Sequence, residues 1–154
     1  MDDVTEDRGG DRRRTLRRVA LVLGATALVV QLVPYGWQHP NPPVVADAPW
    51  PDERAASLAR TSCYDCHSNE TEWGLQSWVA PISWLVRRDV DRGRDELNFS
   101  RWDEDDGEAD DAAEAVADGS MPPRRYTLVH PDAALSEDER RALVAALEEM
   151  DARR

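Results

Sequence analysis

The chain has 154 residues, which suits one domain of ordinary size with a short additional segment. Its 31 acidic residues outnumber its 19 basic residues, all of which are arginine, and the formal net charge at pH 7 is −12. A chain with this charge repels nucleic-acid phosphates, so the composition argues against a nucleic-acid-binding protein.

The first 37 residues combine a basic segment with an apolar one. Arginines stand at positions 12, 13, 14, 17 and 18, and an apolar run that begins at Val19 reaches aromatic residues by Trp37. As a helix, residues 19–37 would be about 28 Å long, close to the roughly 30 Å of a bilayer's hydrocarbon core. Because the arginines come first, the positive-inside rule places residues 1–18 in the cytoplasm. The pattern predicts a single-pass anchor in the cell membrane, with the rest of the chain on the extracytoplasmic side.

A cleaved signal peptide is the alternative for this segment. It needs small residues soon after the apolar run, but the first such pattern is Ala46-Asp47-Ala48, far downstream and followed by Pro49. An uncleaved anchor or signal over 19–37 is therefore favoured. Residues 38–49 follow as a proline-rich spacer, and residues 50–154 form the predicted extracytoplasmic domain.

The most informative motif is Cys63-Tyr64-Asp65-Cys66-His67, which contains the only two cysteines of the chain. In a C-x-x-C-H sequence the two thiols can bond to the vinyl groups of a haem while the histidine ligates its iron. A helix predicted to begin near Pro51 continues in period into this motif, so that positions 63, 66 and 67 share one helical face. The motif predicts one covalent haem c on Cys63 and Cys66, with His67 as an axial ligand. Residues 50–154 are therefore the predicted haem c-binding domain.

Two other chemistries use the same residue types. A redox-active C-x-x-C usually belongs to a thioredoxin-like unit with alternating strands, and the sequence shows no such strands. A zinc site could use Cys63, Cys66, His67 and the distant His130, but structural zinc sites normally add a second, similarly spaced ligand pair. Both alternatives are weaker than the haem interpretation.

The remaining elements also have helical periodicity. A helix is predicted between Pro81 and Glu96, and part of the acidic run Asp103–Asp118, around Glu108–Val116, has helical character. The last helix is the clearest, because Ser136 to Glu139 is a capping box before an apolar stripe. The fold class is therefore all-α, a small cytochrome c-like domain preceded by one transmembrane helix. At least one of three tryptophans after the motif is expected to pack against the haem: Trp73, Trp78 or Trp84.

The ligand opposite His67 decides between electron transfer and chemistry on a small molecule, because six-coordinate iron has no open position. Met121 is favoured, since two prolines follow it and a rigid loop suits a weakly binding thioether. The other candidates are His130 before Pro131, Met150 on the apolar stripe of the last helix, His39 in the spacer, and an open site.

Several separated motifs together resemble the haem-binding domain family, whose members are short monohaem c-type proteins, often behind one N-terminal transmembrane segment. The resemblance covers roughly residues 50–150. It implies haem c on Cys63 and Cys66, with His67 and Met121 as axial ligands, and it identifies no partner. The matching stretches are Cys63–Thr71, Ala80–Leu85, Leu97–Ser100, and Met121–Pro123 through Tyr126 to His130–Pro131.

The sequence thus predicts a membrane-tethered monohaem cytochrome domain that passes single electrons to an unidentified redox partner protein, and is an electron carrier rather than an enzyme. A peroxidase-like or gas-reactive haem with an open iron position is one rival, although no distal acid–base pair is visible in the sequence. A haem sensor or an assembly module is the other, since it carries the same motif.

Overall fold

The computed structural model describes residues 7–104 and 109–153. The fold of these residues is all-helical and contains no β-strand, and one isolated β-bridge among them joins Ala46 and Arg101. The first six residues of the predicted basic segment, residues 105–108 of the acidic run and the terminal Arg154 lie outside it. Short 3-10 helices cover Leu75–Trp78 and Pro131–Ala133, and the α-helices are α1 (Asp7–Gln31), α2 (Glu53–Ser62), α3 (Tyr64–His67), α4 (Ile82–Glu96), α5 (Ala109–Ala117), α6 (Arg124–Thr127) and α7 (Glu137–Asp151).

Helix α1 overturns the prediction of a transmembrane anchor. The helix ends at Gln31, and Leu32 and Val33 only close turns back onto it before Pro34, which has no N–H to extend it. Of the predicted span 19–37, the part up to Gln31 is helical and rises about 20 Å, against a hydrocarbon core of roughly 30 Å. No helix within residues 7–104 and 109–153 has both the length and the apolar content that crossing a membrane requires. The predicted single-pass anchor is therefore wrong, as is the membrane location derived from it.

The described residues divide into two compact units, and α4 begins in the first and continues into the second at Arg87. The first unit contains the chain up to Gln38 together with Gly74–Val86. Within it, the side chain of Gln31 donates to Trp78 O and accepts from Ala80 N, both at 2.9 Å. The end of α1 is therefore held by the segment that precedes α4.

The second unit contains His39–Trp73 and the chain from Arg87 onward, and the apolar core lies here. The C-terminal helix begins as predicted, since Ser136 and Glu139 form a capping box. Cys63 and Met121 are both partly buried and pack against the core. The core is formed mainly by Ala59, Tyr64, Leu97, Phe99, Trp102, Val116, Leu143, Leu147 and Met150.

Candidate functional site

The C-x-x-C-H residues form one tight turn between α2 and α3. The sequence predicted a continuous helix through this motif, but Cys63 ends α2 with φ −126° and ψ −38°. Its carbonyl then accepts hydrogen bonds from Cys66 N at 3.1 Å and from His67 N at 2.9 Å. Both cysteines are free thiols, and each retains some exposed surface, as does His67. One backbone turn therefore supplies two thiols and an imidazole at the surface of the core.

The surroundings of the turn keep both thiols protonated. Burial raises the pKa of Cys63 to about 12, with a contribution from Cys66. Burial, followed by the charges of Asp65 and Asp89, raises the pKa of Cys66 to about 11. A redox-active C-x-x-C has a lowered thiol pKa, so these raised values disfavour a dithiol redox site. Among the residues that the structure describes, no three or more His, Cys, Asp or Glu side chains are arranged to hold a metal ion.

The segment after α4 fixes the orientation of His67. The Nδ1 atom of its ring lies 3.1 Å from Leu97 O, and Phe99 N donates to His67 O at 2.8 Å. Because a carbonyl can only accept, Nδ1 carries the proton and Nε2 has the lone pair that a metal requires. Both the side chain and the backbone of this histidine are therefore held by residues 97–99.

A buried polar network joins the residues after the motif to the same segment. Asn98 Nδ2 donates to Asn69 Oδ1 at 3.0 Å, and Asn98 Oδ1 accepts from Ser100 N at 3.0 Å. Ser100 Oγ in turn accepts from Asn69 N at 3.0 Å. All three residues are buried. Their polar groups satisfy one another, as buried polar groups must, which explains why asparagine and serine occupy these positions.

Two residues of α4 were missed by the sequence reasoning. Gly93 lies against the motif so closely that a Cβ there would be 2.4 Å from Cys66 O. A glycine inside a charged amphipathic helix is a signal of such close packing and could have identified it. Arg94 gave no comparable signal, yet its guanidinium holds the proline-rich segment and the loop after the motif by donating to Ser68 O, Thr71 Oγ1, Pro40 O and Asn41 Oδ1.

The segment that contains Met121 lies beside the C-x-x-C-H turn. Met121 N donates to Ala115 O at 3.0 Å, which holds the residue next to α5. Five residues later, Tyr126 Oη donates to Asp65 Oδ2 at 2.7 Å, and Asp65 is part of the turn. The structure therefore brings the segments of all four predicted site residues together in one unit.

The other candidate ligands have different surroundings. Met150 is 1% exposed and belongs to the core. His39 stacks on Trp73 with ring centroids 4.7 Å apart. His130 is partly exposed and stacks on Tyr126 at 4.4 Å. His130 thus contacts Tyr126, which is bonded to Asp65 of the turn.

A model of the haem-binding domain family matches residues 25–149. The chain belongs to this family. The match includes the C-x-x-C-H turn, α4 and the Met121 segment, and it confirms the family identified from the motifs. Comparison of this haem-binding domain with curated proteins and with solved structures gives no match.

The donor set of the site fits a haem. Two protonated, free thiols on one turn are the groups that form thioethers with haem vinyls. An imidazole whose Nδ1 donates a hydrogen bond to a carbonyl is a typical iron ligand. The side chain of Met121, which contains a thioether, packs on the same apolar core as Cys63. Cys63, Cys66 and His67 can thus hold the haem of this domain, and Met121 can complete its coordination.

Proposed function

We propose that this haem-binding domain is a monohaem c-type electron carrier. Cys63 and Cys66 bind one haem c through thioethers, His67 is its proximal ligand, and Met121 is its distal ligand. When bound, the haem supplies a one-electron couple between ferric and ferrous iron. The observation that carries the proposal is the C-x-x-C-H turn itself, with protonated thiols and with His67 Nδ1 on Leu97 O.

The residues around the haem have defined tasks in this function. The hydrogen bond from Nδ1 of His67 to Leu97 O fixes the ring and increases the donor strength of Nε2. With Met121 on the other side, both axial positions of the iron are filled, which favours electron transfer over binding of a small molecule. The packing of Cys63 and Met121 on the apolar core supports a haem that is shielded from water on its inner face.

The electron partner is proposed to be a protein with a basic docking surface. The chain has a net charge of −12, and complementary charge increases the rate at which two redox proteins meet. This dependence is screened by salt. We expect the rate of electron exchange with a basic redox protein to fall as the ionic strength rises.

Expression in a host that attaches haem c tests the covalent assignment. We expect the intact protein to exceed the mass of its polypeptide by one haem, to show a Soret band, and to titrate as a one-electron couple. The Cys63→Ala/Cys66→Ala double variant should lose the covalent mass. A wild-type protein with the mass of its amino acids alone and no Soret band would refute the proposal.

A pair of methionine variants tests the distal ligand. Met121→Ala should abolish the far-red methionine–iron band of the oxidised protein and give a high-spin spectrum, and the variant reduced with dithionite should bind carbon monoxide. Met150→Leu is the control, since it changes a core methionine with little loss of volume and should keep the band. A wild-type protein that is already high-spin and binds carbon monoxide would instead indicate an open, gas-reactive iron.

A further inference from the structure

Asp65 is the hydrogen-bonding centre of the C-x-x-C-H turn. Its Oδ1 accepts from Glu72 N at 2.9 Å, and its Oδ2 accepts from Tyr126 Oη at 2.7 Å. Its backbone carbonyl accepts from Thr71 Oγ1 at 2.8 Å. With both carboxylate oxygens engaged on different segments, this side chain has a defined orientation rather than a choice of rotamers. Tyr126 is therefore bonded to a rigid part of the turn.

Tyr126 also has little freedom on its own side. Burial, together with the hydrogen bond to Asp65, raises the pKa of Tyr126, so its hydroxyl remains a donor at neutral pH. The ring stacks on His130 with centroids 4.4 Å apart and planes at 21°. Tyr126 belongs to α6, which begins directly after Met121-Pro122-Pro123.

The other contacts of this segment hold it from different directions. Met121 N is bonded to Ala115 O, on the side of α5. Arg125 pairs with Asp89 at 3.0 Å, but its side chain is 58% exposed, and exposed ion pairs contribute little. The part-buried hydrogen bond between Tyr126 and Asp65 thus ties the Met121 segment to the turn that contains the cysteines.

We infer that the Tyr126–Asp65 hydrogen bond positions Met121 for iron ligation, so that Tyr126 is a positioning residue for the distal ligand. The inference rests on the proposed function, in which Met121 binds the iron. A thioether is a weak, neutral ligand, and its binding depends on how firmly the protein holds it in place. Loss of the Tyr126 hydroxyl leaves the ring on His130 but releases α6 from the turn. An external ligand then displaces Met121 more easily.

Imidazole titration of the oxidised holoprotein measures this effect, because imidazole competes with Met121 for the iron. We expect Tyr126→Phe to bind imidazole about tenfold more tightly than the wild type, the effect of losing one charge-assisted hydrogen bond. Ser136→Ala is the control, since it removes a hydroxyl that caps α7 and lies outside both the turn and α6. It should lower the melting temperature but leave the imidazole affinity within about twofold of the wild type.

Two results would overturn the inference: an unchanged imidazole affinity in Tyr126→Phe, or an equal increase in Ser136→Ala, which would indicate general loosening. If Tyr126→Phe does not fold, the same imidazole titration is made on Asp65→Asn. A smaller increase in imidazole affinity is expected there, because the asparagine amide can still bond to the tyrosine oxygen. Met121→Ala separates this result from the proposed function. If it binds imidazole no more tightly than the wild type, Met121 is not a ligand, and the distal assignment itself fails.

Discussion

Substitution of Gly93 by alanine is the sharpest test of how the C-x-x-C-H turn is held. A Cβ at this position would lie 2.4 Å from Cys66 O and 2.8 Å from Cys66 C. These distances are about 1 Å shorter than an ordinary contact of roughly 3.5 Å. Because the opposing atoms are backbone rather than the end of a flexible side chain, the clash is relieved only when α4 moves away from the turn.

Two opposing terms determine the change in the free energy of unfolding. Alanine is better than glycine inside a helix by about 1 kcal/mol. Overpacking costs about 1–3 kcal/mol, and about 2 kcal/mol applies here because movement of α4 relieves part of the clash. A movement of about 1 Å also stretches the 3.1 Å contact between His67 Nδ1 and Leu97 O, at a further cost of about 1 kcal/mol. We therefore expect Gly93→Ala to be less stable by about 2 kcal/mol.

Urea unfolding of the holoprotein, followed by circular dichroism, measures this loss, and the midpoint should fall by about 1 M. The yield of covalently attached haem should fall with it, since Cys66 is displaced. Gly24→Ala is the control, because Gly24 is also helical but has open space where its Cβ would be. It should leave the stability unchanged or raise it by up to about 1 kcal/mol. A Gly93→Ala protein as stable as the wild type would show that α4 does not constrain the turn.

Three further substitutions test the surrounding structure. Asn98→Ala breaks the buried network and should lower the free energy of unfolding by about 1–3 kcal/mol in the same urea assay. Arg94→Ala should lower the free energy of unfolding by a similar amount, because the backbone acceptors of the guanidinium lose their donor. Arg92 is exposed on the same helix, and Arg92→Ala should change the free energy of unfolding by less than about 0.5 kcal/mol. Ser136→Ala should lower the free energy of unfolding by about 1 kcal/mol at pH 7. The bond from Glu139 N to Ser136 Oγ does not titrate, whereas the bond from Ser136 Oγ to the Glu139 carboxylate lowers the pKa of Glu139. The carboxylate-dependent part is present above the ordinary value of 4.5 and is lost as the pH falls through the folded value, so the stability difference between Ser136→Ala and the wild type should become smaller in acid but should not vanish.

The elements predicted correctly from the sequence are those with local signals. The last helix was predicted from its capping box, and Ser136 and Glu139 do bond reciprocally. The helix predicted between Pro81 and Glu96 is α4, which runs from Ile82 to Glu96. These signals depend on neighbours three or four residues away, which a sequence displays directly.

The end of α1 and the break at Cys63 depend on contacts that the sequence does not display. The run after Val19 stays apolar beyond Gln31, so its periodicity predicts a longer helix. The helix stops before Pro34, and the side-chain amide of Gln31 at its end is bonded to Trp78 O and Ala80 N, nearly fifty residues later. In the same way, the helical periodicity through Cys63 could not reveal that the Cys63 carbonyl accepts hydrogen bonds from both Cys66 N and His67 N.

The site is built by matching two stretches of chain about thirty residues apart. Residues 66–69 face residues 93–100: Cys66 lies against Gly93, His67 against Leu97 and Phe99, and Asn69 against Asn98. Several of these contacts use backbone atoms on at least one side, so they hold the shape of the turn whatever is bonded to the two sulfurs. The arrangement of the C-x-x-C-H turn is therefore a property of the protein fold, and the orientation of His67 is fixed by the segment that follows α4. Asn69 after the cysteines and the residues Asn98 and Ser100 after α4 satisfy one another's polar groups.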